Sequence, residues 1–144
     1  MATNYSNPVL RERESVNTIS AAATLTAADV GVHVLDAAAG ATVTLPSLPT
    51  EGKELYFKFI VGAAFATTPW VIDSAEGDNI NGGIVDIGST PAAVLAAGED
   101  QVNFVETAES IGNWIELISD SGNSQWLLSG VCYVNGGITT TDPS

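Results

Sequence analysis

The chain has 144 residues, of which 45% are hydrophobic and 15% charged, a composition typical of a folded domain with an apolar core. Seventeen acidic residues oppose four basic ones, and the net charge of −13 at pH 7 argues against nucleic acid or an anionic membrane as a partner, because both are negatively charged. Cys132 is the only cysteine, which excludes an intrachain disulfide and a multi-cysteine zinc site.

The first 16 residues differ in composition from the rest. Arg11, Glu12, Arg13 and Glu14 cancel, so the whole net charge falls on residues 15–144. Pro8 and the lack of helical periodicity predict an extended N-terminal arm over residues 1–16, with a frayed terminus as the alternative. An extended segment can bind a neighbouring subunit by adding a strand to a sheet edge. The residues expected to make such contacts are Tyr5, Pro8, Val9, Leu10, Arg11 and Arg13.

Residues 17–134 read as one β domain of short strands separated by glycine, asparagine, aspartate and proline. The strands are predicted at 15–20, 24–26, 30–35, 41–45, 54–61, 69–74, 84–87, 92–95, 101–106, 113–119 and 125–131. The clearest alternation is in 54–61, where one face carries Leu55, Phe57, Phe59 and Val61. This spacing of strands and turns predicts an all-β fold, a compact β-sandwich or a jelly-roll-like barrel.

Three segments have a weaker pattern. Residues 75–83 are predicted as a long loop, because they contain Gly77, Asp78 and the pair Gly82-Gly83. Residues 92–100 are compatible with a strand or with one or two helical turns. Residues 135–144 contain two adjacent glycines, a proline and four polar hydroxyl residues, and they are predicted to form a flexible C-terminal tail.

The sequence contains no recognisable catalytic or cofactor motif. His33 is the only histidine, no G-x-S-x-G or phosphate-binding glycine motif is present, and residues 73–79 match a calcium loop poorly. We therefore predict a protein that is not an enzyme and binds no cofactor or metal. The alternative is a glycoside hydrolase, which needs only a pair of carboxylates, and its candidates would include Glu76, Asp78 and Glu116.

The three tryptophans, Trp70, Trp114 and Trp126, lie within predicted strands next to apolar residues. This setting favours packing in the core or at a subunit interface, with sugar-stacking platforms as the alternative.

Seven segments in order along residues 24–130 resemble a module of tailed-bacteriophage virion proteins, the capsid decoration (cement) and head fibre proteins. They are 24–29 (TLTAAD), 35–41 (LDAAAGA), 43–46 (VTLP), 57–64 (FKFIVGAA), 103–105 (NFV), 112–120 (GNWIELISD) and 126–130 (WLLSG). Residues 1–16 match no motif of this module, so the role of the arm rests on its composition.

The resemblance implies a structural protein on the outer surface of the virion, synthesised in the cytoplasm of the bacterial host. Such proteins bind the major capsid protein after head expansion and hold neighbouring subunits together. A homotrimer is expected, with a dimer as the alternative. The second function to consider is a head-fibre or tail-spike module that binds carbohydrate during host attachment. The absence of an apolar leader in the first residues is consistent with cytoplasmic synthesis.

Overall fold

Two mixed β-sheets pack face to face in the computed structural model, which describes residues 16–75 and 77–143. The predicted all-β sandwich is therefore confirmed. The helices of the described residues are single 3-10 turns, at Ala27–Asp29, Glu106–Ala108 and Ser121–Asn123. None of the helices in this part of the chain has the length and apolar character needed to cross a membrane.

The described residues form twelve strands. In chain order they are β1 (Val16–Ile19), β2 (Ala23–Thr24), β3 (Gly31–Leu35), β4 (Thr42–Thr44), β5 (Tyr56–Val61), β6 (Trp70–Asp73), β7 (Asn79–Asp86), β8 (Ala92–Glu99), β9 (Gln101–Phe104), β10 (Trp114–Asp120), β11 (Gln125–Cys132) and β12 (Ile138–Thr141).

The large sheet has seven strands in the order β1-β3-β5-β10-β11-β7-β8, and the small sheet has five in the order β12-β9-β6-β4-β2. In the large sheet, β5 and β11 each pair antiparallel with β10, while β3 pairs parallel with both β1 and β5. In the small sheet, β6 pairs antiparallel with β9 and parallel with β4. Both sheets are therefore mixed.

The core lies between the sheets and follows from the alternation of apolar residues along each strand. Phe57 and Phe59 of β5 are fully buried, and they pair in register with Leu117 and Ile115 of β10. Trp70 of β6 is also fully buried and belongs to the same apolar cluster. This single core, to which both sheets contribute, holds the sandwich together.

Strand β7 runs through the segment that the sequence predicted as a loop. Gly82 and Gly83 lie inside it, and Gly82 has a φ of +131°. A Cβ at Gly82 would lie 2.2 Å from the carbonyl oxygen of Leu128 on β11, so glycine permits the close pairing of these two strands. Residues 92–99 form β8, which settles that segment as strand.

The C-terminal segment also differs from its prediction as a flexible tail. Residues 138–141 form β12, which pairs antiparallel with β9, and Ile138 is fully buried opposite Phe104. One apolar side chain in a polar segment is a weak signal for a strand in the sequence. Here it is enough to hold β12 in place, because β12 can pair with the edge of β9 and Ile138 packs into the core.

Candidate functional site

The predicted binding residues of the arm, Tyr5, Pro8, Val9, Leu10, Arg11 and Arg13, lie outside the described residues. The arm was predicted to end at residue 16, whereas Val16 already begins β1. Among the described strands, β1 pairs with β3 alone and so forms one edge of the large sheet. Val16, the first residue that the structure describes, therefore lies at a sheet edge.

His33 and Cys132 occupy structural positions in the core. The ring of His33 is 2% exposed, stacks on Phe59 with a centroid distance of 5.5 Å, and places its Nε2 atom 2.6 Å from the carbonyl oxygen of Asp29. The buried Sγ of Cys132 donates to the carbonyl oxygen of Val134 at 2.9 Å. These contacts are consistent with a structural role for both side chains in the core of the sandwich.

Three acidic side chains of the described residues, Asp78, Asp86 and Glu116, make separate local contacts. Asp86 is nearly buried and accepts hydrogen bonds from the backbone N–H of Gly88 (3.0 Å), the backbone N–H of Gly136 (3.1 Å) and the side chain of Asn135 (3.1 Å). The Gly88 bond contributes most to holding the pKa of Asp86 below its ordinary value. Asp86 thus ties the loop after β7 to the loop after β11.

Asp78 accepts a hydrogen bond from the backbone N–H of Leu48 at 3.3 Å. Glu116 lies on the opposite side of the large sheet from the core, and Glu76 is outside the described residues. Within residues 16–75 and 77–143, no group of three or more histidine, cysteine, aspartate or glutamate side chains is arranged to hold a metal ion.

The most distinctive surface is the outer face of the large sheet, the side turned away from the small sheet. Sheet faces exposed to water are normally polar, but this one carries a group of apolar and aromatic side chains. We call this group, together with Lys58 and Glu116 between its members, the sheet patch. Its apolar and aromatic members are Tyr56, Val85, Leu95, Trp114, Ile118, Leu127 and Val131.

The strand register makes the sheet patch continuous. Ile118 on β10 lies opposite Tyr56 on β5 and Leu127 on β11. In a second row, Val131 on β11 lies opposite Trp114 on β10 and Val85 on β7. Directly paired residues in neighbouring strands have side chains within contact distance. A third row, in which Glu116 lies opposite Lys58 and Ser129, separates these two apolar rows. The three rows together form one surface across four adjacent strands, apolar on both sides of a central ion pair.

The exposure of these side chains is unusually high for apolar residues. Leu95 is 71% exposed and Val85 54%, while Ile118 and Leu127 are 44% and 43% exposed. Single exposed apolar residues are common on soluble proteins, but a contiguous group of this kind marks an interaction surface.

One ion pair lies inside the sheet patch. The Nζ of Lys58 is 3.9 Å from Oε1 of Glu116 and 4.5 Å from the ring centroid of Trp114, so the ammonium contacts both a carboxylate and an aromatic face. Partial burial, followed by the negative charge of Glu116, raises the pKa of Tyr56. Because the lysine and glutamate charges cancel, the sheet patch has no net charge.

The tryptophans divide between the core and the sheet patch. Trp70 and Trp126 are fully buried, as the core interpretation predicts, while Trp114 points outward beside Lys58. The sequence signal for the sheet patch was the presence of apolar residues on both faces of β10 and β11, visible in WIELISD and QWLLSGVC.

No protein-family model, curated protein or solved structure matches the chain.

Proposed function

We propose that the protein is a structural protein of a tailed-bacteriophage virion, which decorates the outside of the capsid and stabilises neighbouring major capsid subunits after head expansion. Synthesis in the bacterial cytoplasm and a final place on the outer virion surface belong to the same proposal. The order of the segments between residues 24 and 130 supports the family, and the surface chemistry described above supports an assembly role.

The observation that carries the proposal is the sheet patch on an acidic sandwich. Fourteen of the 17 acidic residues and two lysines lie in the described part of the chain. Such a surface opposes non-specific clustering through like-charge repulsion, while the apolar face without net charge favours association with a specific partner. This division suits a protein that is made in a soluble form and is then captured by a large assembly.

In this proposal, contact with the major capsid protein is made by the arm. Arg11 and Arg13 are half of the basic residues of the chain, and an extended segment can add a strand to a sheet edge of a capsid subunit. A protein that binds the expanded lattice and not the unexpanded one stabilises the expanded state by mass action. An oligomer with several arms would bind several neighbouring capsid subunits at once, which raises the overall affinity.

The test is cosedimentation of the purified full-length protein with undecorated expanded heads and with unexpanded proheads of the same phage. We expect saturable, stoichiometric binding to expanded heads and little binding to proheads. Absence of binding to both particles would overturn the proposal.

A matched pair of variants tests the arm within the same assay. The double substitution Arg11→Ala/Arg13→Ala is expected to weaken binding to expanded heads about 100-fold or more, because charge-assisted contacts contribute on the order of 1.5–3 kcal/mol each. Lys53→Ala removes a positive charge from the exposed surface of the β domain and should leave binding unchanged. Equal binding by all three proteins would remove the arm from the mechanism.

A carbohydrate-binding module for host attachment is the second candidate, and the observation that favours it is the outward position of Trp114 and Tyr56 beside Lys58 and Glu116. Aromatic rings beside charged groups are a common setting for sugar recognition. A glycan array distinguishes the two functions. Specific glycan binding that is lost in Trp114→Ala, together with no binding to heads, would favour attachment over decoration.

A further inference from the structure

The outer face of the large sheet, which contains the sheet patch, approaches the size of a stable protein interface. Six spacings of about 4.8 Å between seven strands span roughly 29 Å, and a seven-residue strand rises about 24 Å. The outer face of the large sheet therefore covers roughly 700 Å², close to the roughly 800 Å² per partner that a standard stable interface buries. The four most exposed members, Leu95, Val85, Ile118 and Leu127, have nothing over them in the described part of the chain.

Charge identifies the partner that fits this surface. Apart from the Lys58–Glu116 pair, the described residues include 13 acidic residues and one basic residue, Lys53. Two copies that meet through most other surfaces bring carboxylates together, which costs free energy. Two copies that meet through their sheet patches bring together surfaces without net charge, and the apolar side chains leave water.

The symmetry of the contact is favourable as well. A self-complementary patch is the requirement for a closed two-fold interface, in which the same residues are used by both copies. Because the sheet patch contains one positive and one negative group, Lys58 and Glu116, a second copy supplies a charge of each sign. No unbalanced charge is then buried at the interface.

We propose that copies of this chain associate with each other through the sheet patch, so that Leu95, Ile118 and Leu127 of one copy pack against the sheet patch of another. This goes beyond the proposed function, because it assigns the outer face of the large sheet to self-association and leaves the arm for the capsid. It also holds for a protein with a different final role.

The primary experiment measures the molar mass of the full-length protein in solution, by light scattering after size exclusion and by sedimentation velocity. At about 1–100 µM we expect a dimer, a species of about twice the 14.8 kDa chain mass. A monomer throughout this range would overturn the proposal.

Two variants test whether the interface between copies lies on the sheet patch. Leu95→Asp and the double variant Ile118→Asp/Leu127→Asp put carboxylates on side chains that are already exposed, so folding of the single chain should persist. We expect each to weaken association about 100-fold or more, because an unpaired charge would be buried at the interface. Thr42→Asp adds the same charge on an exposed residue of the small sheet and should retain the oligomer. Circular dichroism and a cooperative thermal transition verify that each variant is folded.

Salt dependence gives an independent measurement. Raising the NaCl concentration from about 50 to 500 mM screens repulsion between two acidic chains and leaves apolar burial in place, so the oligomer should become more stable. Dissociation by salt would indicate an interface held by opposite charges and would contradict the proposal. An oligomer that persists in both patch variants would also contradict it.

The head-binding assay separates this inference from the proposed function. A monomeric wild-type protein whose patch variants lose binding to expanded heads would assign the sheet patch to the capsid protein and overturn self-association. An oligomeric protein that binds no head would leave self-association in place and overturn decoration. The two failures therefore give different results.

Discussion

Gly82 of β7 and Leu128 of β11 lie opposite each other in a parallel pair, and a Cβ at Gly82 would lie 2.2 Å from the carbonyl oxygen of Leu128. Gly82 also has a φ of +131°, a conformation that residues with a side chain rarely adopt. The pairing that joins β7 and β8 to the rest of the large sheet thus depends on the absence of one methyl group.

Gly82→Ala is therefore expected to lower the free energy of unfolding by about 3 kcal/mol, through the steric overlap and the positive φ together. Gly52→Ala is the matched control, since Gly52 has a φ of +87° with nothing within 4 Å of its Cβ position. It should cost about 1–2 kcal/mol from conformation alone. Urea denaturation measures both values, and equal losses would mean that the contact with Leu128 relaxes freely.

The C-terminal strand should contribute to stability despite its polar composition. Ile138 is fully buried and pairs with Phe104, so Ile138→Ala should lower the free energy of unfolding by about 3 kcal/mol. Thr141→Ala changes an exposed residue of the same strand and should cost under about 1 kcal/mol. Chemical denaturation of the two variants compares them, and a negligible effect of Ile138→Ala would indicate that β12 is detached in solution.

Acid should destabilise the fold through carboxylates that are hydrogen-bonded in it. The hydroxyl of Ser119 donates to Oε2 of Glu54 at 2.5 Å and is the main cause of the lowered pKa of Glu54, and the pKa of Asp86 is lowered as described above. A lowered pKa in the folded state contributes stability above the ordinary value near 4, and this contribution is lost as the pH falls through the lowered value.

We therefore expect the Tm to fall steadily between about pH 5 and pH 2. Glu54→Gln should lower the Tm at pH 7 and reduce the difference between pH 7 and pH 2, whereas Glu51→Gln, at an exposed position nearby, should follow the wild type. Differential scanning calorimetry across this range gives the profiles. A wild-type Tm that is independent of pH would contradict the assignment.

Asp100 should behave in the opposite way. Burial raises its pKa, and the nearby charges of Asp142 and Asp73 add to the effect, so its ionised form destabilises the fold above the ordinary pKa. Asp100→Asn is expected to raise the Tm at pH 7 and to leave it unchanged near pH 2, where the carboxyl is protonated in both states. The same calorimetric series measures this, and a lower Tm at pH 7 would show that the carboxylate makes a stabilising contact.

The Lys58–Glu116 pair should influence association more than folding. Its side chains are 28% and 30% exposed in the single chain, so Lys58→Met should change the free energy of unfolding by under about 1 kcal/mol. It leaves Glu116 without its cationic partner in the sheet patch, and the association constant should fall roughly tenfold or more. Adding Glu116→Gln to Lys58→Met removes the unpaired charge and should restore most of the affinity. With Glu116→Gln alone as the fourth protein, sedimentation equilibrium completes the double-mutant cycle, and no coupling between the two sites would place the pair outside the interface.

Much of the strand layout was readable from the sequence, because it depends on local periodicity. The alternation around Phe57 and Phe59 predicted β5 and its buried face, and the pattern of β10 and β11 predicted a hairpin joined through residues 120–123. Burial of Trp70 and Trp126 followed in the same way from their apolar neighbours. In each of these strands, the side chains that face the core form a pattern within a few consecutive residues.

Elements whose conformation depends on residues distant in the chain could not be predicted from the sequence. Gly82 has the local character of a turn, and only the approach of Leu128 from β11 makes it part of a strand. Ile138 is a single apolar residue in a polar segment, and the free edge of β9 decides its burial.

The sheet patch shows the same division between local pattern and tertiary arrangement. The sequence determined that β10 and β11 carry apolar side chains on both faces, along with the net charge and the lack of a catalytic motif. Only the tertiary structure decided which of those faces is left exposed, because that depends on which side of the large sheet the small sheet covers. It also decided that Ile118, Leu127 and Tyr56, which are distant in the chain, lie side by side. A continuous surface needs several strands in register, and register is set by long-range pairing and core packing that no short stretch of sequence contains.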